Sequence, residues 1–150
     1  MIKPDKNDFN EKIERVQSYI DLNGYTGMIL GRRDNFSWIT GGGRNNIMNK
    51  NEMGCCLLVI TASKIYTVSR SMDTLWVMDQ VPNNLNVESI EHKWFEDTLC
   101  TSAVKLAGDN IVCDIQIKNT EQLMNDIFKL HYPMTERDYR MYRQGVNYMK

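Results

Sequence analysis

The chain has 150 residues, which is a common size for a single domain and is enough to bury one hydrophobic core. Charged residues make up 25% of the chain and hydrophobic residues 42%, a balance typical of folded globular proteins and not of disordered ones. The formal net charge of -1 argues against a general nucleic-acid binder or a protein that binds anionic membranes.

Nothing in the chain predicts insertion into a membrane or transport across one. No apolar run approaches the roughly 18 residues of a membrane-spanning helix, and the first residues do not form a signal peptide. The four cysteines form neither a Cys-x-x-Cys pair nor a framework typical of secreted proteins. We therefore expect a cytoplasmic protein with reduced cysteines, of which Cys55, Cys56 and Cys113 lie in predicted strands as core residues.

An amphipathic helix is predicted near the start of the chain. Its apolar residues recur at spacings of four, three and four positions with charged residues between them: Phe9, Ile13, Val16 and Ile20. Asn7 or Asp8 is predicted to cap the start of this helix and Gly24 its end. A short strand at residues 27–31 follows, and residues 36–39 are expected to form no more than one helical turn.

An unbroken apolar run, Cys-Cys-Leu-Leu-Val-Ile, occupies residues 55–60. It lies between Gly54 and a short Thr-Ala-Ser segment. Six apolar residues without alternation predict a strand that is covered on both faces, as at the centre of an α/β sheet. The rest of the chain must then supply the elements that cover this strand.

Strands and helices alternate through the remainder of the chain. The further predicted strands are residues 64–68, 85–90 and 111–114. The further predicted helices are residues 72–80, 95–106 and 120–130. His92, between Glu91 and Lys93, is interpreted as part of a solvated turn. The alternation predicts an α/β fold, with a mixed sheet of about five or six strands and helices on both faces.

Residues 35–42 read Asn-Phe-Ser-Trp-Ile-Thr-Gly-Gly. This segment resembles the Asn-x-x-(Tyr or Trp)-Leu-Thr-Gly signature of the creatinase, prolidase and aminopeptidase P superfamily. There the signature marks an N-terminal domain that precedes a pita-bread metallohydrolase domain, and the order of predicted elements is similar too. The resemblance implies a ribonuclease-H-like creatinase N-terminal domain in residues 1–134. Residues 135–150 would begin a linker helix into a catalytic domain that this chain does not contain.

The resemblance also implies a function. The chain is expected to be the non-catalytic N-terminal domain of an Xaa-Pro aminopeptidase or dipeptidase-like metallopeptidase, contributing to dimerisation and substrate access. In the superfamily, two Asp, one His and two Glu of the catalytic domain hold two divalent metal ions, such as Mn, Co or Zn. We therefore expect no catalytic residue, metal ligand or cofactor in this chain. The implied partners are its own C-terminal catalytic domain, a second copy in a homodimer and a peptide substrate, with neither nucleic acid nor membrane.

Three alternatives compete with this interpretation. The superfamily includes creatinase, a hydrolase that works without metal, and relatives that have lost catalysis and bind proteins, among them histone-chaperone subunits. The third alternative is a nuclease, because nucleases of ribonuclease-H-like architecture bind Mg²⁺ with an Asp in the first strand. Residues 28–30 are Met-Ile-Leu, without a carboxylate, so a two-metal nuclease cannot be built there.

The candidate site is a substrate-access rim at the loop that follows the signature: Trp38, Arg44, Asn45, Asn46 and Asn49. The three glycines at residues 41–43 match neither a P-loop nor a dinucleotide-binding loop, because the Lys-Ser/Thr pair and the Gly-x-Gly-x-x-Gly spacing are missing. They permit an unusual backbone path instead. Two other interpretations stay open, in which Trp38 packs on the sheet and the asparagines simply suit turns.

Overall fold

The computed structural model of the protein describes residues 6–40, 53–70, 77–78, 81, 87–92, 99–115 and 121–122. Six strands lie in these ranges: β1 (Gly27–Arg32), β2 (Met53–Thr61), β3 (Ile65–Arg70), β4 (Val87–His92), β5 (Ile111–Cys113) and β6 (Glu121–Gln122). Three helices accompany them: α1 (Lys6–Leu22), α2 (Arg33–Thr40) and α3 (Leu99–Ala107). None of the helices in the described part of the chain is both long enough and apolar enough to span a lipid bilayer.

The strands form one mixed sheet with the spatial order β4-β3-β2-β1-β5-β6. Strand β2 runs antiparallel to both of its neighbours, β1 and β3. The other neighbouring pairs, β3 with β4, β1 with β5 and β5 with β6, are parallel. Among the described strands, all except β2 therefore have their carboxyl ends at one edge of the sheet. The prediction that residues 55–60 form a central strand is confirmed.

Both faces of the sheet are covered by helices, as the alternation of elements predicted. One face packs against α1 and α2 through residues of β1 and β2: Met28, Leu30, Cys56, Leu58 and Ile60. The opposite face packs against α3 through the alternate residues: Ile29, Leu57 and Val59. A strand that is buried on both sides needs apolar residues at every position, which explains the unbroken run in β2. The predicted fold class is confirmed.

The apolar stripe of α1 lies in the core, as predicted: Phe9, Ile13, Val16 and Ile20. The helix ends at Leu22 and is capped by Gly24, as predicted; the φ of 72° at Gly24 lies in the left-handed region that favours glycine. The backbone N–H of Tyr25 donates to the carbonyl of Ile20 at 2.9 Å, and that of Gly24 donates to Asp21 at 3.3 Å, which is a Schellman cap. The predicted N-cap was wrong, because α1 begins at Lys6 and residues 7–8 lie in its first turn.

Three local predictions were wrong, because contacts between elements decide the structure at these positions. Helix α2 has eight residues, more than the single turn predicted. His92 is the half-buried last residue of β4, paired with Arg70 of β3, and not part of a solvated turn. Glu121 and Gln122 pair with β5 as β6, so the helix predicted from about Thr120 cannot begin there. In the two strands, hydrogen bonds to a neighbouring strand pair the backbone N–H and C=O groups. This pairing outweighs the weak local preference of the residues for a turn or a helix.

Some predicted elements are described only in part. Of the helix predicted at residues 72–80, the structure describes Val77 and Met78, which are helical. The helix predicted at residues 95–106 is confirmed from Leu99 onward as α3, which ends before Gly108 with its φ of 99°, and residues 95–98 lie outside the described residues. The domain boundary at residue 134 and the linker helix at residues 135–150 lie outside the described residues.

Candidate functional site

The structure describes the base of the predicted substrate-access rim. Trp38 lies in α2, which leads directly into residues 41–52. The other predicted rim residues lie outside the described residues: Arg44, Asn45, Asn46 and Asn49. The described part of the candidate site is therefore α2, the helix that leads into the rim segment, which we define as residues 41–52.

The side chain of Trp38 is fully buried in the core cluster between α1 and the sheet. Phe36 and Ile39 of the same helix are also fully buried in this cluster. The hydroxyl of Thr40 donates to the carbonyl of Phe36 at 2.7 Å, which satisfies a polar group inside the core. The signature residues thus serve packing in this domain, which is the alternative interpretation considered for Trp38.

The C-terminal end of α2 is held by a buried lysine from α1. Lys12 is 2% exposed, and its Nζ donates to the carbonyl oxygen of Trp38 at 2.6 Å. The same Nζ lies 3.0 Å from Oδ2 of Asp8 and 5.1 Å from the centroid of the Trp38 ring. The last carbonyls of a helix lack intrahelical partners and carry partial negative charge, so a cation there is favourable.

The N-terminal end of α2 is held by a buried carboxylate from the end of β5. Asp114 is 7% exposed, and its Oδ1 accepts a hydrogen bond from the backbone N–H of Gly31 at 2.7 Å. Its Oδ2 accepts from the backbone N–H of Arg32 at 3.1 Å and from Nδ2 of Asn35 at 2.8 Å. These bonds join β5 to the point at which β1 passes into α2. They also give the first residue of the signature, Asn35, a structural role.

The sequence patterns did not indicate the role of either charged residue. Lys12 is one of the charged residues between the apolar positions of α1, although its spacing of three from Phe9 and four to Val16 places it on the apolar face. Asp114 was interpreted only as the end of a strand. A carboxylate directly after the apolar residues 111–113 was the available signal, and the neighbouring strand β1 became evident only in the structure.

The junction of β1 and β5 is the place where ligands often bind in α/β sheets. After β1 the chain continues to β2 on one side, and after β5 it continues to β6 on the other, which is a topological switch point. In this chain the Asp114 carboxylate occupies the junction and accepts hydrogen bonds from the protein's own amides. The arrangement suits a structural joint more than acid–base chemistry, because the carboxylate is satisfied internally.

The residues that the structure describes do not form the two-metal centre that the resemblance implies for the catalytic domain. Within the described ranges, no group of three or more His, Cys, Asp or Glu lies close enough together to hold a metal ion. Asp114, the buried carboxylate of the site, faces hydrogen-bond donors. No step of a metal-dependent reaction is assigned to the described residues.

Comparison with solved structures finds proteins of similar fold. No family model matches the sequence, and no curated protein matches it. The fold is similar to that of an Xaa-Pro dipeptidase from Bacillus anthracis, with a TM-score of 0.63 and 13% identity over 88% of this chain. It is also similar to the N-terminal domain of an Xaa-Pro dipeptidase from Lactobacillus brevis, with a TM-score of 0.53 and 13% identity over 71% of this chain and 80% of that one.

A third similar structure is the N-terminal domain of the FACT complex subunit SPT16 from Eremothecium gossypii, with a TM-score of 0.55. The identity is 9%, over 87% of this chain and 38% of that one. The chain likewise spans 38% of the Bacillus anthracis dipeptidase. At these identities the likeness concerns the fold, and the predicted resemblance is confirmed at that level: this chain folds as the N-terminal domains of Xaa-Pro peptidases do.

Proposed function

We propose that this chain is the non-catalytic N-terminal domain of a cytoplasmic metallopeptidase related to Xaa-Pro aminopeptidases and dipeptidases. The observation that carries the proposal is a shared fold. The similarity to an Xaa-Pro dipeptidase covers 88% of this chain but only 38% of that protein. The rest of such a protein leaves room for a separate catalytic domain. That domain would hold the two divalent metal ions, such as Mn, Co or Zn, which would activate water for cleavage of the bond before proline.

The role proposed for this domain is to limit access to the active site and to contribute to a homodimer. The rim segment would present Arg44, Asn45, Asn46 and Asn49 to a peptide substrate, with buried Trp38 as its base. Arginine and asparagine side chains suit this task, because they form hydrogen bonds with peptide carbonyls and carboxylates. Lys12 and Asp114, which form hydrogen bonds at the two ends of α2, support the proposal. They fix the position of the helix that precedes the rim segment.

The test is an assay of the protein encoded by the longest reading frame that contains this chain. We expect it to hydrolyse Xaa-Pro dipeptides or the first bond of Xaa-Pro-Xaa tripeptides with Mn²⁺, and to lose this activity when a chelator removes the metal. The 150-residue chain alone serves as the control and should neither cleave these peptides nor retain Mn²⁺ or Co²⁺ after dialysis. Turnover with stoichiometric metal in the control would overturn the proposal.

A second candidate is a protein-binding module from a relative that lacks catalysis. The likeness to the N-terminal domain of a FACT complex subunit favours it. A reading frame without the set of two Asp, one His and two Glu downstream, together with no hydrolysis of Xaa-Pro peptides, would support this candidate. Hydrolysis of creatine that survives the chelator would instead indicate a creatinase-type hydrolase.

A further inference from the structure

Three hydrogen-bond donors converge on one buried carboxylate at the junction of β1 and β5. The backbone N–H of Gly31 donates to Oδ1 of Asp114 at 2.7 Å, and the backbone N–H of Arg32 donates to Oδ2 at 3.1 Å. Nδ2 of Asn35 also donates to Oδ2, at 2.8 Å. Two of these distances are as short as those of charge-assisted hydrogen bonds. Both oxygens of the carboxylate are therefore held by donors from a distant part of the chain.

The two backbone donors are consecutive residues that face the same group. In a regular strand, consecutive N–H groups point to opposite sides. Here the pairing of β1 with β2 shifts register between Leu30 and Arg32, and the pairing of β1 with β5 ends at Ile29 and Cys113. Both N–H groups can therefore turn toward the junction. Successive backbone N–H groups that point to one side form a concavity that binds anions.

The third donor is fixed by the core and not by the carboxylate. Asn35 is buried in α2, and the next residue of that helix, Phe36, is fully buried against the sheet, as is Ile39. The three donors thus belong to β1 and α2, whereas the carboxylate is supplied by the residue that follows β5. All three are neutral amide groups, so the position of the anion is set by hydrogen-bond geometry. The anion and the groups that bind it are separable parts of the structure.

We propose that the junction of β1 and β5 is a carboxylate-binding site that this chain fills with its own Asp114. The donors should stay in place when this carboxylate is removed, and should then bind a small free carboxylate. The ligand class follows from the contacts, because donors on both oxygens match a planar carboxylate. In the natural chain, a free ligand would have to displace Asp114 from the place where α/β sheets often bind ligands. The inference does not depend on the proposed peptidase function.

The first test supplies the missing group from solution. Asp114→Ala keeps Cβ and removes a group of the size of formate. If formate binds with a dissociation constant of about 0.1 M, it should raise the folding equilibrium constant of this variant about sixfold at about 0.5 M. Denaturant melts measure this increase against sodium chloride at the same concentration. We expect an increase of about fivefold or more.

Two variants and the wild type separate binding from a general effect of the salt. In Asp114→Asn the amide occupies the same space, so formate cannot enter the site. Leu58→Ala leaves a cavity without amide donors in the core beside α1 and α2. In both variants and in the wild type, formate should change the folding equilibrium constant by less than about twofold relative to chloride. A similar increase in all four proteins would overturn the proposal.

The second test locates the ligand by NMR. When formate is added to Asp114→Ala, the backbone amides of Gly31 and Arg32 and the side-chain amide of Asn35 should show chemical-shift changes that saturate. The amide of Thr67, in β3, is the internal control and should not shift in this way. Saturable changes that spare Gly31 and Arg32, or that also occur in Asp114→Asn, would contradict the site.

The test also holds if Asp114→Ala does not fold in chloride. Recovery of its circular dichroism in formate then takes the place of the melt. Asp114→Gly with acetate repeats the experiment, because acetate replaces the whole side chain. If neither formate nor acetate increases the stability or restores the fold of these variants, the amides do not form a site without the attached carboxylate, and the proposal is wrong.

Discussion

The side-chain amide of Asn35 donates a hydrogen bond to the carboxylate of Asp114 at 2.8 Å, across 79 positions of sequence. Asn35 opens the signature segment, and Asp114 directly follows β5, the strand that lies parallel to β1. The same carboxylate accepts hydrogen bonds from the backbone of Gly31 and Arg32. This hydrogen bond joins α2 to the sheet. It gives the asparagine at the start of the signature a structural role.

Replacement of Asp114 by Asn tests this joint. An Asn side chain has a similar shape but turns an amide group toward at least one of the donors, so a buried donor loses its acceptor. We expect the free energy of unfolding to fall by about 1.5 to 3 kcal/mol. Denaturant melts measure the loss, with Asp109→Asn, at an exposed position in the turn before β5, as the control. Equal stability of the two variants would contradict the assigned role.

Leu58 tests the central position of β2. Its side chain is fully buried on the face of the sheet that packs against α1 and α2, so Leu58→Ala should lower the free energy of unfolding by about 2 to 5 kcal/mol through lost burial and a cavity. Leu22→Ala is the matched control, because Leu22 is 85% exposed and should change stability by less than about 0.5 kcal/mol. A loss below about 0.5 kcal/mol for Leu58→Ala would place this strand at a surface.

Gly27 tests the contact between β1 and α3. A Cβ at Gly27 would lie 2.6 Å from the carbonyl oxygen of Ala107 and 2.8 Å from its Cα. These are backbone atoms, so relief of the clash would require a shift of α3 itself. Gly27→Ala should therefore destabilise the protein by about 1 to 3 kcal/mol through overpacking. Gly31→Ala should cost less, because the atoms it would meet at 2.9 Å are the ends of the Ile115 and Leu57 side chains. Thermal or denaturant melts that rank the two variants in the opposite order would be inconsistent with this packing.

Arg44→Ala in the full-length protein tests the substrate-access rim itself. A charge-assisted hydrogen bond made equally in the ground and transition states is worth about 1.5 to 3 kcal/mol. Its loss should raise KM about 10- to 100-fold and leave kcat nearly unchanged. Lys105→Ala, on the far side of the sheet, is the control for removal of a surface cation. Steady-state kinetics with both constants within a factor of about two of the wild type, at unchanged stability, would show that the segment is structural.

Local patterns determined most of the architecture. The stripe of Phe9, Ile13, Val16 and Ile20 predicted α1, and the run at residues 55–60 predicted the central strand. Both predictions hold because the repeat of the helix or strand backbone determines which residues face the core. The spacing of apolar residues in the local sequence shows this repeat directly. The signature at residues 35–42 likewise indicated the fold of the domain, which the structural comparisons confirm.

Only the tertiary structure decided what Lys12 and Asp114 do. Their partners are distant in sequence, 26 positions from Lys12 to Trp38 and 79 between Asn35 and Asp114. A charged side chain on a helix or at a strand end usually faces solvent, and it is buried only where the fold brings a partner to it. For the same reason, the second turn of α2 and the pairing of β6 could not be predicted, because both depend on contacts that exist only after the sheet has formed.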